Sequence, residues 1–278
     1  MDSMSNKYSD LRVLVIGDAM IDHYIYGSVS GESPEAPVPV LKQDHIEYRL
    51  GGAANVALHL KSLGTKVQLA GIIGDDNYSS LMDELLEKHG IGNLLFKDAA
   101  RPTTLKTRLI ADGQHIARVD KEVCEYNHTG YDDYISSSIV KMLDDQKFDI
   151  CIFQDYNKGS LSLKNIKAIL SACTKQAIFT AVDPKVENFL AYQGVDLFKP
   201  NLKEINTAFS TIFDASLNSM NIASNRLNAA IGSKLTIITL SENGVYLSDH
   251  TNQLIVPTFQ IDIVDVCGAG DALSLIHI

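Results

Sequence analysis

The sequence predicts an α/β fold, a largely parallel sheet flanked by helices, with a small β lid. Three observations lead there. Short apolar, β-branched runs alternate with amphipathic stretches, the pattern of buried parallel strands covered by helices. Residues 23–48 break this rhythm with Pro34, Pro37 and Pro39 beside alternating Val38 and Val40. Residues 103–120 break it again, with Asp112-Gly113 between two alternating runs, a strong local hairpin signal.

The elements follow in order. Residues 11–16 (LRVLVI) read as a buried strand ending at Gly17. Residues 53–63 are helical, with Val56, Leu60 and Leu63 on one face and Gly64 as the stop. Residues 67–73 return as a strand, and 78–89 form a helix closed by Gly90. Further strands are predicted at 149–153, 177–182, 195–198 and 235–240, and helices at 131–143, 163–173 and 219–231. The two segments that leave the core rhythm pair as an accessory sheet, a lid over the site.

Composition narrows the function. A chain of 278 residues, 45% hydrophobic, can bury a full core. A formal charge of −10 and a pI near 5.2 argue against nucleic acid as a partner, because phosphate backbones demand a basic face. Cys124, Cys151, Cys173 and Cys267 lie far apart without CxxC spacing, which indicates neither a metal knuckle nor a disulfide framework. A polar N-terminus and the lack of a long apolar run predict a soluble, cytoplasmic protein without a membrane partner. No Walker loop, protein-kinase signature, HExxH or GxSxG occurs.

Ligands of open α/β sheets bind beyond the carboxyl ends of the strands, so the residues there carry the argument. Asp18 and Asp22 follow the first strand and suit sugar hydroxyls, Asp18 equally suiting a turn cap. Gly51-Gly52-Ala53-Ala54-Asn55 opens a helix with small residues that admit a ligand closely. Lys106 and Arg108 share a strand face, and with Arg118 they form a local cationic surface suited to an anionic substrate or to a solvated lid. Asp155, Lys158 and Lys185 follow strands and can touch substrate or simply shape turns. Asn201 and Glu204, at i and i+3, are either a helix-capping pair or, through Glu204, a holder of Mg²⁺-bound water. Thr239, Ser241 and Gly244 follow a later strand and suit a nucleotide pocket or a plain loop. Gly268-Ala269-Gly270-Asp271 offers accessible backbone N–H groups and an adjacent carboxylate, a phosphate cradle with its base or an ordinary turn.

Taken in this order, the glycine pair with Asn55, the Asn201…Glu204 element and the terminal GAGD resemble the ribokinase superfamily of phosphofructokinase-B type carbohydrate kinases. Within it, GDAMIDHYIYG, SPEAPVPV (33–40), GGAANVA (51–57), residues 155–159, DPK (183–185) and PNLKE (200–204) are similar to the D-glycero-β-D-manno-heptose 7-phosphate kinases. The resemblance runs from about residue 11 to 271. It implies one ribokinase-like, Rossmann-type kinase domain over residues 1–278, ATP and Mg²⁺ as co-substrates, and phosphorylation of the heptose C1 hydroxyl in ADP-heptose and lipopolysaccharide-core synthesis. Asp271 would be the base, Gly268, Ala269 and Gly270 the anion hole, and Asn201, Leu202, Lys203 and Glu204 the ATP and metal element. Asp22, Gly51, Gly52 and Asn55 would hold the sugar, with Lys106, Arg108 and Arg118 around its phosphate or lid. The family also implies a homodimer through the lid, and some relatives carry a fused nucleotidyltransferase domain.

The chain departs from the family at Cys267, where many members carry Thr, a hydroxyl that the loop's backbone role does not need. It departs again at the end, where LSLIHI replaces an expected helix. The expectation is a C-terminal truncation, with those residues translated from a transposase end used in sequencing libraries and with activity weakened or lost. Two alternatives remain beside the heptose kinase: another ribokinase-type sugar kinase such as a ribokinase or fructokinase, and a non-catalytic nucleotide- or sugar-binding fragment.

Overall fold

Alternation within one strand sets the layers of the molecule. In β1 (Arg12–Gly17), Val13 and Val15 join one apolar cluster and Leu14 and Ile16 another, all four fully buried. A strand apolar on both faces must be covered on both, and each such side chain contributes about 1.5–3 kcal/mol on burial. The computed structural model describes residues 8–123 and 131–258. Within them, β1 is joined in parallel by β4 (Lys66–Gly74), β5 (Gly92–Asp98), β8 (Ile150–Gln154), β9 (Phe179–Asp183), β10 (Leu197–Phe198) and β11 (Leu235–Thr239). An antiparallel extension adds β12 (Val245–Ser248) and β13 (Gln253–Val256). The sheet order is β13-β12-β11-β10-β9-β8-β1-β4-β5.

Two helices, α1 (Ala53–Ser62) and α2 (Asn77–Lys88), bury Val56, Leu60, Met82 and Leu86 in the cluster that holds Val13 and Val15. The opposite cluster receives α3 (Tyr131–Asp145), α4 (Leu163–Lys175), α5 (Leu202–Ala208) and α6 (Leu217–Ile231) through Ile139, Ile169, Ile205 and Leu227. Their ends follow local chemistry. Asp76 caps α2 by accepting from the N–H groups of Tyr78 and Ser79, and Gly232 closes α6 at a left-handed φ of 74°. The α/β reading of the sequence holds. It missed β5, a half-exposed edge strand, and the four-residue β12 and β13, too short to show a period.

The lid is a separate sheet of β2 (Ala19–Glu32), β3 (Pro39–Gly52), β6 (Leu105–Ala111) and β7 (Gln114–Lys121), in the order β3-β2-β6-β7. Asp112 and Gly113 join β6 to β7 with φ of 51° and 78°, the positive pair that a type I′ turn requires. The first lid segment is longer than the expected 23–48. β2 begins at Ala19, paired with Gly52, because Met20, Ile21 and Leu50 are buried and carry the hairpin down onto the core. Asp22 therefore lies in a lid strand rather than in a turn after β1.

The chain runs from β1 outward to β4 and β5, then returns to β8 on the other side of β1. The β1/β8 boundary is thus a topological switch point, where such sheets open a crevice.

Candidate active site

At that switch point, Asp18 organises the backbone. It is 2% exposed, and its carboxylate accepts from the N–H groups of Tyr156, Lys158 and Ser160 at 2.9, 3.0 and 3.0 Å. Arg101 donates to the Lys158 carbonyl from the other side. The loop after β8 is thereby fixed. Asp18 acts as the cap of that loop and not as a sugar ligand.

Above it, between lid and core, lies a cavity of about 530 Å³. Asp22, Tyr24, Asn55, Lys106, Arg108 and Tyr156 all contribute to its wall. The period of two along β6 does put Lys106 and Arg108 on one face, as the sequence predicted. Gly52 lines the cavity, and the neighbouring Gly51 leaves room for Asp22, whose Oδ2 would lie 2.7 Å from an added Cβ.

The cations are not bare. Arg108 donates to Asp22 Oδ1 and lies over the Tyr24 ring at 5.1 Å. Lys106 meets Asp120 at 3.1 Å and Glu122 at 3.0 Å, and Lys158 meets Glu122 at 2.8 Å. Arg118 is absent from the cavity wall; its side chain is 59% exposed and pairs with Asp120. Because Arg118 stands opposite Arg108 in the register, like charges side by side favour turning one guanidinium outward.

Asp155 is removed from the ligand face. It is 1% exposed, with Oδ1 accepting from the Asn157 N–H and Oδ2 from Asn188 and the Tyr192 hydroxyl. Burial, and then the charge of Asp18, push its pKa up to about 6. A buried carboxylate already holding these donors shapes the loop and touches nothing in the cavity.

The nucleotide candidates cluster at the ends of β10 and β11. Asn201 and Glu204 form a capping box: Asn201 accepts from the Glu204 N–H at 2.8 Å and Glu204 Oε2 from the Asn201 N–H at 2.9 Å. The other oxygen, Oε1, takes Lys185 Nζ at 3.0 Å. Burial disfavours the Lys185 charge, but Glu204 outweighs it and raises the lysine's pKa. Leu202, Lys203 and Ser241 border an open groove of about 580 Å³. Thr239 bridges to Asn201. Gly244 serves packing, since a Cβ there would lie 2.0 Å from the Val256 carbonyl.

Among the described residues, no group of three His, Cys, Asp or Glu side chains gathers as a metal site. Glu204 nevertheless fits a water-mediated cation, because each of its oxygens carries one hydrogen bond and keeps a second acceptor position. The Gly268, Ala269, Gly270 and Asp271 loop lies outside the described residues. Among those residues, no helix is long and apolar enough to cross a membrane. Glu122, Tyr156, Arg101 and Asp120 escaped the sequence reading. Nothing along β7, where Asp120 stands beside Arg118 and Lys121, pointed to the partners that the lid cations find.

Comparison with known proteins agrees with this architecture. The family model described as "pfkB family carbohydrate kinase" matches residues 10–274. A bifunctional protein HldE of Helicobacter hepaticus is 37% identical over 266 residues, 94% of this chain and 54% of that protein. The HldE of Geobacter metallireducens is 35% identical over 280 residues, 99% of this chain and 56% of that protein. The chain thus spans about half the length of these curated relatives. Phosphofructokinase-2 from Escherichia coli, solved with substrates and products, shares the fold at a TM-score of 0.78 and 17% identity, covering 95% of this chain and 83% of that one. Ribokinase from Giardia lamblia aligns at 0.68 and 16% identity, over 96% and 80% respectively. A parallel sheet with a β lid over its switch point, matched by this family along nearly its whole length, places the chain in the pfkB family of carbohydrate kinases, phosphotransferases that act on sugars.

Proposed function

We propose that the chain is the kinase part of a heptose 7-phosphate kinase, transferring the γ-phosphoryl group of ATP to the C1 hydroxyl of D-glycero-β-D-manno-heptose 7-phosphate. The carrying observation is the cavity under the lid, where Asp22 and Asn55 stand with Lys106 and Arg108 in an otherwise acidic protein. Hydroxyl-binding side chains beside paired cations suit a phosphorylated sugar, whereas a neutral sugar has no use for the cations. The identities of 33–37% with HldE proteins point the same way.

In this reading, Asp22 and Asn55 orient the sugar, and Lys106 and Arg108 receive the 7-phosphate. Asp271 takes the proton from the C1 hydroxyl as its oxygen attacks the γ-phosphorus and the bond to the ADP oxygen breaks. The backbone of Gly268 to Gly270 steadies the transferring group, so positioning and charge stabilisation carry the catalysis. ATP occupies the side of Asn201, Lys203 and Ser241. Mg²⁺, held through water by Glu204, would offset phosphate charge. The protein works in the cytoplasm as one kinase domain, pairs through its lid, and acts beside a nucleotidyltransferase half like that of its bifunctional relatives, feeding ADP-heptose synthesis. The test is ATP consumption by the purified protein across a panel of heptose 7-phosphate, ribose, fructose and fructose 6-phosphate. Preference for a neutral sugar overturns the heptose reading, and activity retained in Asp271→Asn overturns the base assignment.

A further inference from the structure

Two ammonium groups converge on one carboxylate at the seam of lid and core. Lys106 Nζ, on β6, lies 3.0 Å from Glu122 Oε2, and Lys158 Nζ, on the loop after β8, lies 2.8 Å from Glu122 Oε1. The three side chains are only 16–17% exposed. Glu122 directly follows β7, so the lid supplies one cation and the carboxylate while the core supplies the other cation. The core side is firm, because Asp18 and Arg101 hold the backbone of Lys158.

This arrangement has the form of an occupied anion site. A carboxylate spanning two ammoniums presents two oxygens as a phosphate monoester does, but with a single charge. Hydrogen bonds from Lys158 and Lys106 outweigh the effect of burial and hold the Glu122 carboxyl below its ordinary range, so the anion is the resident form at neutral pH. Lys106 also lines the 530 Å³ cavity beside Arg108. It has a second carboxylate, Asp120 at 3.1 Å, and so keeps a partner if Glu122 withdraws.

We infer that Glu122 is an internal stand-in for the substrate's phosphate, holding the Lys106–Lys158 pair until a phosphate monoester displaces it and thereby setting the affinity for phosphorylated over neutral sugars. The identity of the ligand rests on the sugar-phosphate reading above; the anion site rests on the cation pair alone. Displacement exchanges a singly charged group for a doubly charged one and releases Glu122 toward solvent. Glu122 is then a competitor, and removing its charge strengthens anion binding.

The test uses the whole chain and inorganic phosphate as probe, with binding followed by calorimetry and by phosphate-induced thermal stabilisation. Glu122→Gln keeps the shape and one acceptor while removing the charge. The expected result is phosphate binding about tenfold tighter than in the parent chain, with the gain abolished by adding Lys158→Met. Unchanged or weaker binding, or a gain that survives Lys158→Met, overturns the inference and leaves Glu122 as a structural tie. Should the Gln variant fail to fold, Glu122→Asp reads the same competition, since its shorter stem cannot span both ammoniums. A phosphate gain without turnover of heptose 7-phosphate sinks only the proposed substrate. Turnover of that sugar without the phosphate gain sinks only this inference.

Discussion

Replacing Asp18 by Asn changes one atom and tests the organisation of the loop after β8. The carboxylate accepts three backbone N–H bonds, two on Oδ2 and one on Oδ1. Hydrogen bonds to a charged group contribute about 1.5–3 kcal/mol each, and to a neutral one about 1 kcal/mol. If the Asn oxygen keeps Tyr156 and Lys158, its NH₂ group faces the Ser160 N–H, one bond is lost, and the remaining two weaken. The sum is a loss of about 4 kcal/mol. Relief of the repulsion that Asp18 exerts on Asp155 offsets about 1 kcal/mol of it, leaving about 3. At about 2–4 °C per kcal/mol for a chain of this size, Tm falls by about 10 °C. Urea unfolding at pH 7 gives the free energy, and steady-state kinetics give a higher KM for the sugar phosphate, because Tyr156 lines the cavity. A stability change below about 0.5 kcal/mol would refute the claim that Asp18 holds this loop.

Three further perturbations probe other parts of the molecule. Gly52 sits at φ 55°, and an added Cβ would lie 2.5 Å from the Asp18 carbonyl and 2.7 Å from Met20 Cε; Gly52→Ala is expected to cost about 3 kcal/mol in urea unfolding, and a neutral result would contradict the geometry. Arg108→Met removes the guanidinium from the cavity, so KM for the sugar phosphate should rise about tenfold or more with kcat changed far less; a loss confined to kcat would show that Arg108 acts on the chemical step. For Asp155, the folded pKa of about 6 stands above the ordinary 3.8, so the folded state holds the proton longer than the unfolded one. Its contribution to stability is therefore fully present below about pH 4 and is lost as pH rises through about 6, by about 3 kcal/mol. Asp155→Asn should flatten that part of the stability–pH curve, and an unaltered slope between pH 4 and 6.5 would rule it out.

How far the sequence could be read depended on whether a signal was local. β1 announces itself as an unbroken apolar run ending at Gly17, α1 by its period and the stop at Gly64, and the hairpin of β6 and β7 by Asp112-Gly113. The two-residue period also placed Lys106 and Arg108 together correctly. β12 and β13 span four residues each and have no room for a period. Partners across the fold were illegible for the same reason. Nothing near residue 122 says that its carboxylate meets lysines 16 and 36 residues away. Asp18 and Asp155 each carried two readings in the sequence. Burial decided both, because a carboxylate with 1–2% exposure, held by three protein donors, has no face left for a ligand.

The order of the lid strands also bears on how the chain reaches its native state. β2 pairs in parallel with β6, Ile21 with Leu105 through Gly27 with Ala111, while α1, β4, α2 and β5 lie between them in the chain. The hairpin of β2 and β3 can form early, but its second half waits for that whole excursion to condense. Long-range parallel pairing of this kind is intrinsically slow and leaves strand edges bare in the interval. Assembly of the lid is therefore a late event that reports on completion of the core, and during synthesis the half-built lid is the segment most in need of protection from neighbouring chains.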